Sequence, residues 1–359
     1  MLVIRPSTVS HWKAGVRGIP VALLLAFGAA CAGDRTGPSP ETTNPADSPV
    51  TPPSDSPVTP PSDSGATVPP SDSTTTPPVD STATPPSTPP SLPGIVFSTA
   101  AYPRDKFDSV HTGSAPGGAL SPSTMLSWLS AARAKGARLV LKLCMGRDMF
   151  VKNDDGTFSF TKWKALVDRF KSVDFDSYIA DGTITGHYLI DEPSRAERWG
   201  GKIISQEQIE AMAEYSKKIW PDMPTLVRVV PSWLAEAPVT YTYLDAAWFQ
   251  YAARFGDPAA AVGAEVAVAK SLGLGLMAGM NVLDGGDGSS GIPGWSSGKH
   301  SMSATEVRSY GLALLDESYI CGFQMWMWDP EYYGRSDIKS AMAELSAKAR
   351  AHAQSSCRV

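Results

Sequence analysis

From residue 94 onward, short runs of β-forming residues alternate with stretches whose apolar residues recur at helical spacing. Alternation of this kind favours a parallel sheet covered by helices, because each parallel connection needs a crossover segment. The strand-like runs cover residues 94–99, 137–144, 183–190, 225–230, 246–251, 273–281 and 319–328. The helical patterns cover residues 123–135, 160–171, 205–220, 257–272, 303–317 and 337–353.

The region 94–359 is long enough for one large domain with a full hydrophobic core. It contains no glycine-rich phosphate loop of the Rossmann or Walker type. We therefore predict an α/β fold, a closed (β/α)8 barrel of the TIM type. Seven strands are visible in the sequence, and a closed barrel of this type needs eight. We expect the eighth strand to be irregular and to lie near residues 107–112.

Residues 1–31 resemble a bacterial export signal, in which basic residues precede the apolar run 19–27 and small residues lead to Cys31. We predict that Cys31 is lipidated and anchors the protein to a membrane of the cell envelope. The alternative is cleavage by the ordinary signal peptidase near Ala30 or Ala32, which leaves no lipid.

Proline, serine, threonine and aspartate dominate residues 32–93, and the octapeptide 48–55 is repeated directly as 56–63. Such a composition cannot bury enough apolar surface to offset the entropy of ordering the chain. We predict a disordered tether between the anchor and the barrel.

The charge and the cysteine content limit the possible partners and chemistry. The net charge is −5, and no basic stripe is present, which argues against a nucleic acid partner. If Cys31 carries a lipid, three cysteines remain, so at least one thiol is unpaired or all three are structural. Cys144 and Cys321 lie in apolar strand-like runs, so we expect packing residues rather than nucleophiles there.

The strand 186–190 ends on the sequence Asp191-Glu192-Pro193. Proline stops further strand pairing, so the carboxylates are expected at the carboxyl end of a strand, where barrel enzymes place catalytic groups. Glu192 is therefore our leading catalytic candidate. The alternative is a loop residue that caps the next helix or pairs with Arg195 or Arg198.

This strand end, the segment 153–163 (Asn-Asp-Asp-Gly-Thr-Phe-Ser-Phe-Thr-Lys-Trp) and the aromatic final strand 324–329 (Gln-Met-Trp-Met-Trp-Asp) together resemble barrel-fold glycoside hydrolases. The resemblance implies an acid/base glutamate at the end of the fourth strand and a second glutamate at the end of the seventh. The chain departs from that pattern twice. Asp191 stands where the family has asparagine before the first glutamate, and residues 280–284 contain no glutamate.

Glycoside hydrolysis uses two carboxyl groups that flank the scissile bond. Glu192 supplies the first, as the acid. For the second we rank Asp329 above Asp284 and Glu331, and Asp191 is a further option. Neighbouring residues of a strand point to opposite sides, so Asp191 is expected to bind nearby loops if Glu192 faces the pocket. Asp329 could instead cap a helix or form a turn.

Aromatic and polar residues at or after the strand ends are candidates for sugar contacts, because sugar rings stack on aromatic side chains and their hydroxyls form hydrogen bonds. We expect Trp326, inside the last strand, to be part of the barrel wall. The aromatic candidates are Trp199, Trp233, Trp295, Trp328, Tyr251, Tyr332 and Tyr333. The polar candidates are Gln250, Asn281 and Arg147.

No metal site and no cofactor are expected, since the histidines of the domain lack metal-ligand spacing. No Gly-x-Ser-x-Gly motif of an α/β-hydrolase is present. The sequence thus predicts an exported, monomeric glycoside hydrolase with a carbohydrate substrate. A carbohydrate-binding surface lipoprotein without turnover is the main alternative, and a barrel with another hydrolytic or lyase activity is a third.

Overall fold

The computed structural model describes residues 93–118, 120–144, 146–353 and 357. The predicted signal, Cys31 and the tether up to residue 92 lie outside the described residues. In the described part, no helix combines the length and the apolar character needed to cross a membrane.

The predicted (β/α)8 barrel is confirmed. Parallel strands pair in the order of the sequence, and β8 pairs with β1 to close the barrel. The strands are β1 Val96–Ala100, β2 Gly113–Ala115, β3 Arg138–Leu141, β4 Ile184–Asp191, β5 Thr225–Arg228, β6 Ala246–Tyr251, β7 Gly275–Met280 and β8 Ile320–Met325.

The strand that the sequence did not reveal is β2, directly after the region where we expected it. Its three residues, Gly113-Ser114-Ala115, are small and carry no β-branched side chain. Pairing with β1 on one side and β3 on the other holds it in place. The space is tight, since a Cβ atom on Gly113 would lie 2.7 Å from the Val96 side chain.

Helices cover the outside of the barrel, and capping explains where several of them begin. Ser205 and Ser303 each form a capping box with the residue three positions later, Gln208 and Glu306. The helices are α1 Pro122–Ala134, α2 Phe160–Asp168, α3 Asp176–Ala180, α4 Gln206–Ile219, α5 Pro231–Leu234, α6 Pro258–Leu272, α7 Ala304–Leu315, α8 Pro330–Gly334 and α9 Ser336–Ala351.

Two apolar clusters follow from the alternation of side chains along each strand. The larger one joins outward-facing strand residues such as Phe97 and Phe323 to the helices. The smaller one fills the inside of the barrel and includes Val140, Tyr188 and Trp248. The barrel is therefore packed below its mouth, and the carboxyl ends of the strands are where barrels of this kind bind ligands.

A disulfide joins Cys321, near the start of β8, to Cys357. Cys357 packs in the inner cluster and against β7, where a Cβ atom on Gly275 would lie 2.9 Å from its carbonyl oxygen. Cys321 is thus buried, as predicted, and is also cross-linked, a point that the sequence left open. Cys144 is buried and unpaired, and burial raises the pKa of its thiol to about 11.

Candidate functional site

The turn after β4 places two carboxylates at the mouth of the barrel. The register between β4 and β5 shifts after Tyr188, so that Asp191 pairs with Arg228. Glu192 follows with a φ of +45°, which is uncommon for a residue other than glycine. The strand has ended at this point, so its alternation no longer applies. Asp191 and Glu192 therefore contact the same arginines instead of pointing to opposite sides.

Asp191 is held by three neighbours. The Tyr188 hydroxyl donates to its Oδ1 at 2.5 Å, Arg228 Nε donates to the same oxygen, and Arg198 donates to Oδ2 at 3.0 Å. Burial alone would raise the pKa of Asp191. The charges of Arg228, Lys142 and Arg198 outweigh burial and hold the pKa well below its ordinary value.

Glu192 uses both of its carboxylate oxygens for ion pairs. Oε1 lies 3.0 Å from an Arg228 nitrogen, and Oε2 lies 3.1 Å from Arg195 and 2.5 Å from Arg198. Its side chain retains 24% of its exposure, so the carboxylate stays accessible from the mouth. The contacts with Arg195 and Arg198 agree with the alternative prediction, in which Glu192 is a loop residue that pairs with one of these arginines.

The sequence did not single out Arg228, Lys142 or Asp148, although all three belong to the same network. Arg228 is 9% exposed, donates to Gln250 Oε1 at 2.6 Å and lies 5.6 Å from the Trp248 ring. Asp148 accepts from Arg198 at 3.0 Å and lies 3.9 Å from the Lys142 ammonium. The available signal for Arg228 was an arginine within the last three residues of the predicted strand 225–230.

The two other catalytic candidates are bonded within their own loops. Asp329 caps α8, and its Oδ1 accepts from the Tyr332 amide at 2.7 Å. Asp284 accepts from the amide of Ser296 at 2.8 Å and from its hydroxyl at 2.6 Å. Within the described part of the chain, neither carboxylate is ion-paired with the arginines around Glu192.

A layer of unpaired polar atoms lies below the carboxylates. Ser98 and Gln324 are neighbours across the β1–β8 pairing, and their side-chain polar atoms are buried without a hydrogen-bond partner among the described residues. The same holds for Gln250 Nε2 and Trp248 Nε1. Buried polar atoms usually have partners, so we expect ordered water beside this layer inside the barrel.

Among the aromatic candidates, Trp295 is the one with a large open face. It is 61% exposed and meets Trp326 edge-on, with ring centroids 5.4 Å apart. Trp326 and Trp328 are partly buried and pack against the core, as expected of a wall residue at position 326. Trp328 packs 4.8 Å from Tyr102.

Trp199 and Tyr251 are 0% and 1% exposed, so they offer no face to a sugar, which corrects the prediction for both. The Trp199 indole donates to the Glu192 carbonyl at 3.0 Å and thereby supports the turn from below. Tyr332 and Tyr333 are likewise buried. Large aromatic residues near strand ends often serve packing, and the sequence does not separate that role from ligand contact.

The remaining candidates lie on the same face. Arg147 is exposed next to the turn 148–151, and Trp233 is half-buried in α5. Asn281 follows β7, and its side chain accepts from the Asp284 amide at 3.0 Å. These residues surround the mouth, but within the described residues they do not join the ion-pair network around Glu192.

Exposed apolar side chains are concentrated on the loops at this end of the barrel. A concentration of apolar groups around polar ones is typical of a ligand-binding face. Of the large apolar residues that are exposed in the described chain, Met149, Phe150, Ile203, Phe255 and Trp295 follow β3, β4, β6 or β7, whereas Leu126 and Tyr243 do not. The described residues contain no group of three or more histidine, cysteine, aspartate or glutamate side chains that could hold a metal ion.

The chain matches no protein-family model and no curated protein. Solved structures to which it is similar include a mannanase, a xylanase and an endocellulase. A β-1,4-mannanase of glycoside hydrolase family 113 shares 11% identity over 71% of this chain and 99% of its own, with a TM-score of 0.45. A Thermotoga petrophila xylanase bound to xylobiose shares 10% over 72% and 95%, with a TM-score of 0.45.

An endocellulase from Pyrococcus horikoshii, in complex with cellotetraose, shares 13% identity over 71% of this chain and 92% of its own, with a TM-score of 0.46. The activities and ligands belong to those proteins, and the barrel of this chain is established by its own strand pairing. These solved structures are similar to the chain at 10 to 13% identity.

Proposed function

We propose that this protein is a glycoside hydrolase that cleaves a polysaccharide or an oligosaccharide. The observation that carries the proposal is the position of Glu192, which a left-handed turn after β4 places at the mouth of the barrel, partly exposed and within a face rich in exposed apolar residues. Sugars present both apolar C–H faces and hydroxyl groups, which suits the combination of exposed Trp295 with the charged groups around Glu192.

In the proposed reaction, protonated Glu192 gives its proton to the glycosidic oxygen as the bond from that oxygen to the anomeric carbon breaks. A second, ionised carboxylate on the other side attacks the anomeric carbon or activates the water that does so. Asp329 and Asp284, after β8 and β7, are the proposed second groups, and Asp191 positions Glu192 through their shared arginines. Hydrolysis requires the two carboxyl groups to be roughly 5 to 10 Å apart across the cleft.

A second candidate function is carbohydrate binding without turnover. One observation favours it: the oxygens of Glu192 are engaged by three guanidinium groups, and Asp329 and Asp284 are bonded within their own loops. A binding protein needs only the aromatic face and the charged groups at the mouth, whereas a hydrolase needs Glu192 to be released from its arginines for contact with the substrate.

The test is the release of reducing ends by the full chain from a panel of neutral and acidic polysaccharides. We expect Glu192→Gln to lower the rate by about 10²-fold or more, since a positioned acid or base contributes that much. Glu197→Gln is the matched control, because Glu197 also pairs with Arg195 but is largely exposed. Equal loss in both variants, or no loss in Glu192→Gln, would remove Glu192 as a catalytic group.

A binding measurement separates the two candidate functions. If no polysaccharide is cleaved but one is bound, and Trp295→Ala weakens binding while Tyr243→Ala does not, the non-catalytic alternative is correct. Tyr243 is a suitable control because it is exposed and lies just before β6, at the opposite end of the barrel. If no glycan is bound or cleaved, both candidates are wrong.

The predicted site of action lies outside the cytoplasm, with Cys31 as the lipid-carrying residue. The Cys321–Cys357 disulfide supports the proposal, since disulfides persist mainly in oxidising compartments. We expect radiolabelled palmitate to be incorporated into the full chain in a bacterial host and to be absent from Cys31→Ser. Incorporation that survives the substitution would contradict the lipid anchor at this residue.

A further inference from the structure

A second concavity lies beside the carboxylate site, between the loop after β6 and the loop after β7. Its volume is about 190 Å³. Both loops leave the carboxyl ends of their strands, so it opens on the same face as Glu192. It is lined by Ala252, Arg254, Asp284, Gly285, Gly286, Gly298, Lys299 and His300.

Backbone hydrogen bonds fix the walls of this pocket. The Ala253 amide donates to the Gly285 carbonyl at 2.8 Å, which ties the two loops together. The Gly286 amide donates to the His300 carbonyl at 2.9 Å. Glycine is required at 286, because a Cβ atom there would lie 2.7 Å from the Ser301 carbonyl oxygen. The pocket is therefore a built feature of the folded loops.

The charges that line the pocket favour an anion. Neither Arg254 nor Lys299 has an ion-pair partner among the described residues. The lining carboxylate, Asp284, already accepts from the amide and hydroxyl of Ser296. Two cations thus line the pocket, next to one carboxylate whose oxygens are already hydrogen-bonded to Ser296.

The pocket adjoins both parts of the proposed substrate site. Trp295, the exposed aromatic residue, lies on the same loop, and its amide donates to the Leu283 carbonyl at 3.2 Å. Partial burial lowers the pKa of Arg254, and the charges of Glu192 and Arg195 then act on it in opposite directions. Arg254 is therefore close enough to the carboxylate site to interact with it electrostatically.

We propose that this pocket binds an anionic substituent of the glycan, a carboxylate or a sulfate, so that the substrate is an acidic polysaccharide. The inference rests on the proposed function and names its substrate class. Arginine can bind a carboxylate or sulfate through two parallel hydrogen bonds, and lysine adds a point charge. The volume is below the roughly 300 Å³ at which pockets for whole ligands begin, which fits one substituent rather than a chain.

Isothermal titration of the full chain carrying Glu192→Gln tests this inference without turnover. The ligands are an oligogalacturonide, a sulfated galacto-oligosaccharide and a neutral galacto-oligosaccharide of equal length. We expect at least one acidic ligand to bind about tenfold or more tightly than the neutral one, as hydrogen bonds to charged groups provide. The ligand that shows this preference identifies the substituent as carboxylate or sulfate.

Arg254→Gln and Lys299→Gln are each expected to abolish most of this preference and to leave the neutral ligand unaffected. Lys339→Gln, on the exposed side of α9, removes the same charge as Lys299→Gln and should have no effect. The inference is wrong if neither acidic ligand binds more tightly than the neutral one, or if the pocket variants leave the preference intact. The reducing-end assay tests the proposed function separately. If the protein hydrolyses a neutral glycan, the proposed glycoside hydrolase function is supported even though the inference about an acidic substrate is wrong.

Discussion

Replacing Arg228 with methionine is expected to lower the free energy of unfolding by about 3–5 kcal/mol, the usual cost of removing one partner from a buried ion pair. Arg228 is 9% exposed and donates to Asp191, Glu192 and Gln250. Methionine retains much of the aliphatic volume but leaves Asp191 buried with less compensating charge. Denaturant unfolding of the full chain, followed by tryptophan fluorescence, measures the change.

Two controls assign the effect to the ion pair. Arg195→Met removes an arginine whose side chain is 47% exposed, and its cost should stay below about 1 kcal/mol. Adding Asp191→Asn to Arg228→Met should recover part of the loss, because the uncompensated charge is removed. The cost of Asp191→Asn is measured both in the parent protein and in Arg228→Met. If the two costs are equal, Asp191 and Arg228 are not coupled.

The effect of Arg228→Met should also depend on pH in a defined direction. In the parent protein the folded-state pKa of Asp191 is depressed, so its ion pairs stabilise the fold above the unfolded pKa of about 3.9 and are lost as the pH falls below it. In the variant, Lys142 and Arg198 still favour ionised Asp191, but the loss of Arg228 makes this stabilisation smaller. We expect the difference in stability between the two proteins to narrow as the pH falls below about 4, where Asp191 becomes protonated.

Removal of the disulfide is expected to have an effect of similar size. Cys321 and Cys357 are 36 residues apart, for which the loop-entropy relation gives about 4 kcal/mol at 25 °C. The double variant Cys321→Ala, Cys357→Ala should unfold at a correspondingly lower denaturant concentration. A reductant should lower the denaturant concentration at which the parent protein unfolds by a similar amount, and it should not change that concentration for the double variant. Identical unfolding curves for oxidised and reduced parent would show that the bond contributes nothing.

Periodicity in the sequence was sufficient to predict the barrel and most of its elements. Apolar runs bounded by turns mark strands such as β4 and β6, and serine caps mark the starts of α4 and α7. The strand β2 was not recognised in the sequence because Gly113-Ser114-Ala115 shows no periodic pattern of apolar residues. Neighbouring strands impose its extended shape, and that information is not local.

The candidate site was predictable in position but not in its contacts. The position of Glu192 follows from a strand that stops before proline. The arginines that hold it come from β5 and from the loop after β4, and only closure of the barrel brings them together. For the same reason, the sequence left open whether Trp199 and Tyr251 face a ligand or the core, and whether Cys321 has a partner. Each question depends on packing between distant segments.

The disulfide also has a consequence for proteolysis. Because it joins the start of β8 to Cys357, residues 322–356 form a covalent ring that includes α8, α9 and the loop carrying Trp328 and Asp329. A single cut within this ring leaves both new chain ends attached through the sulfur bridge, whereas a cut in any earlier loop divides the barrel into two separate polypeptides. The last loop of the candidate site is therefore the one where a protease can sever the backbone without releasing a fragment.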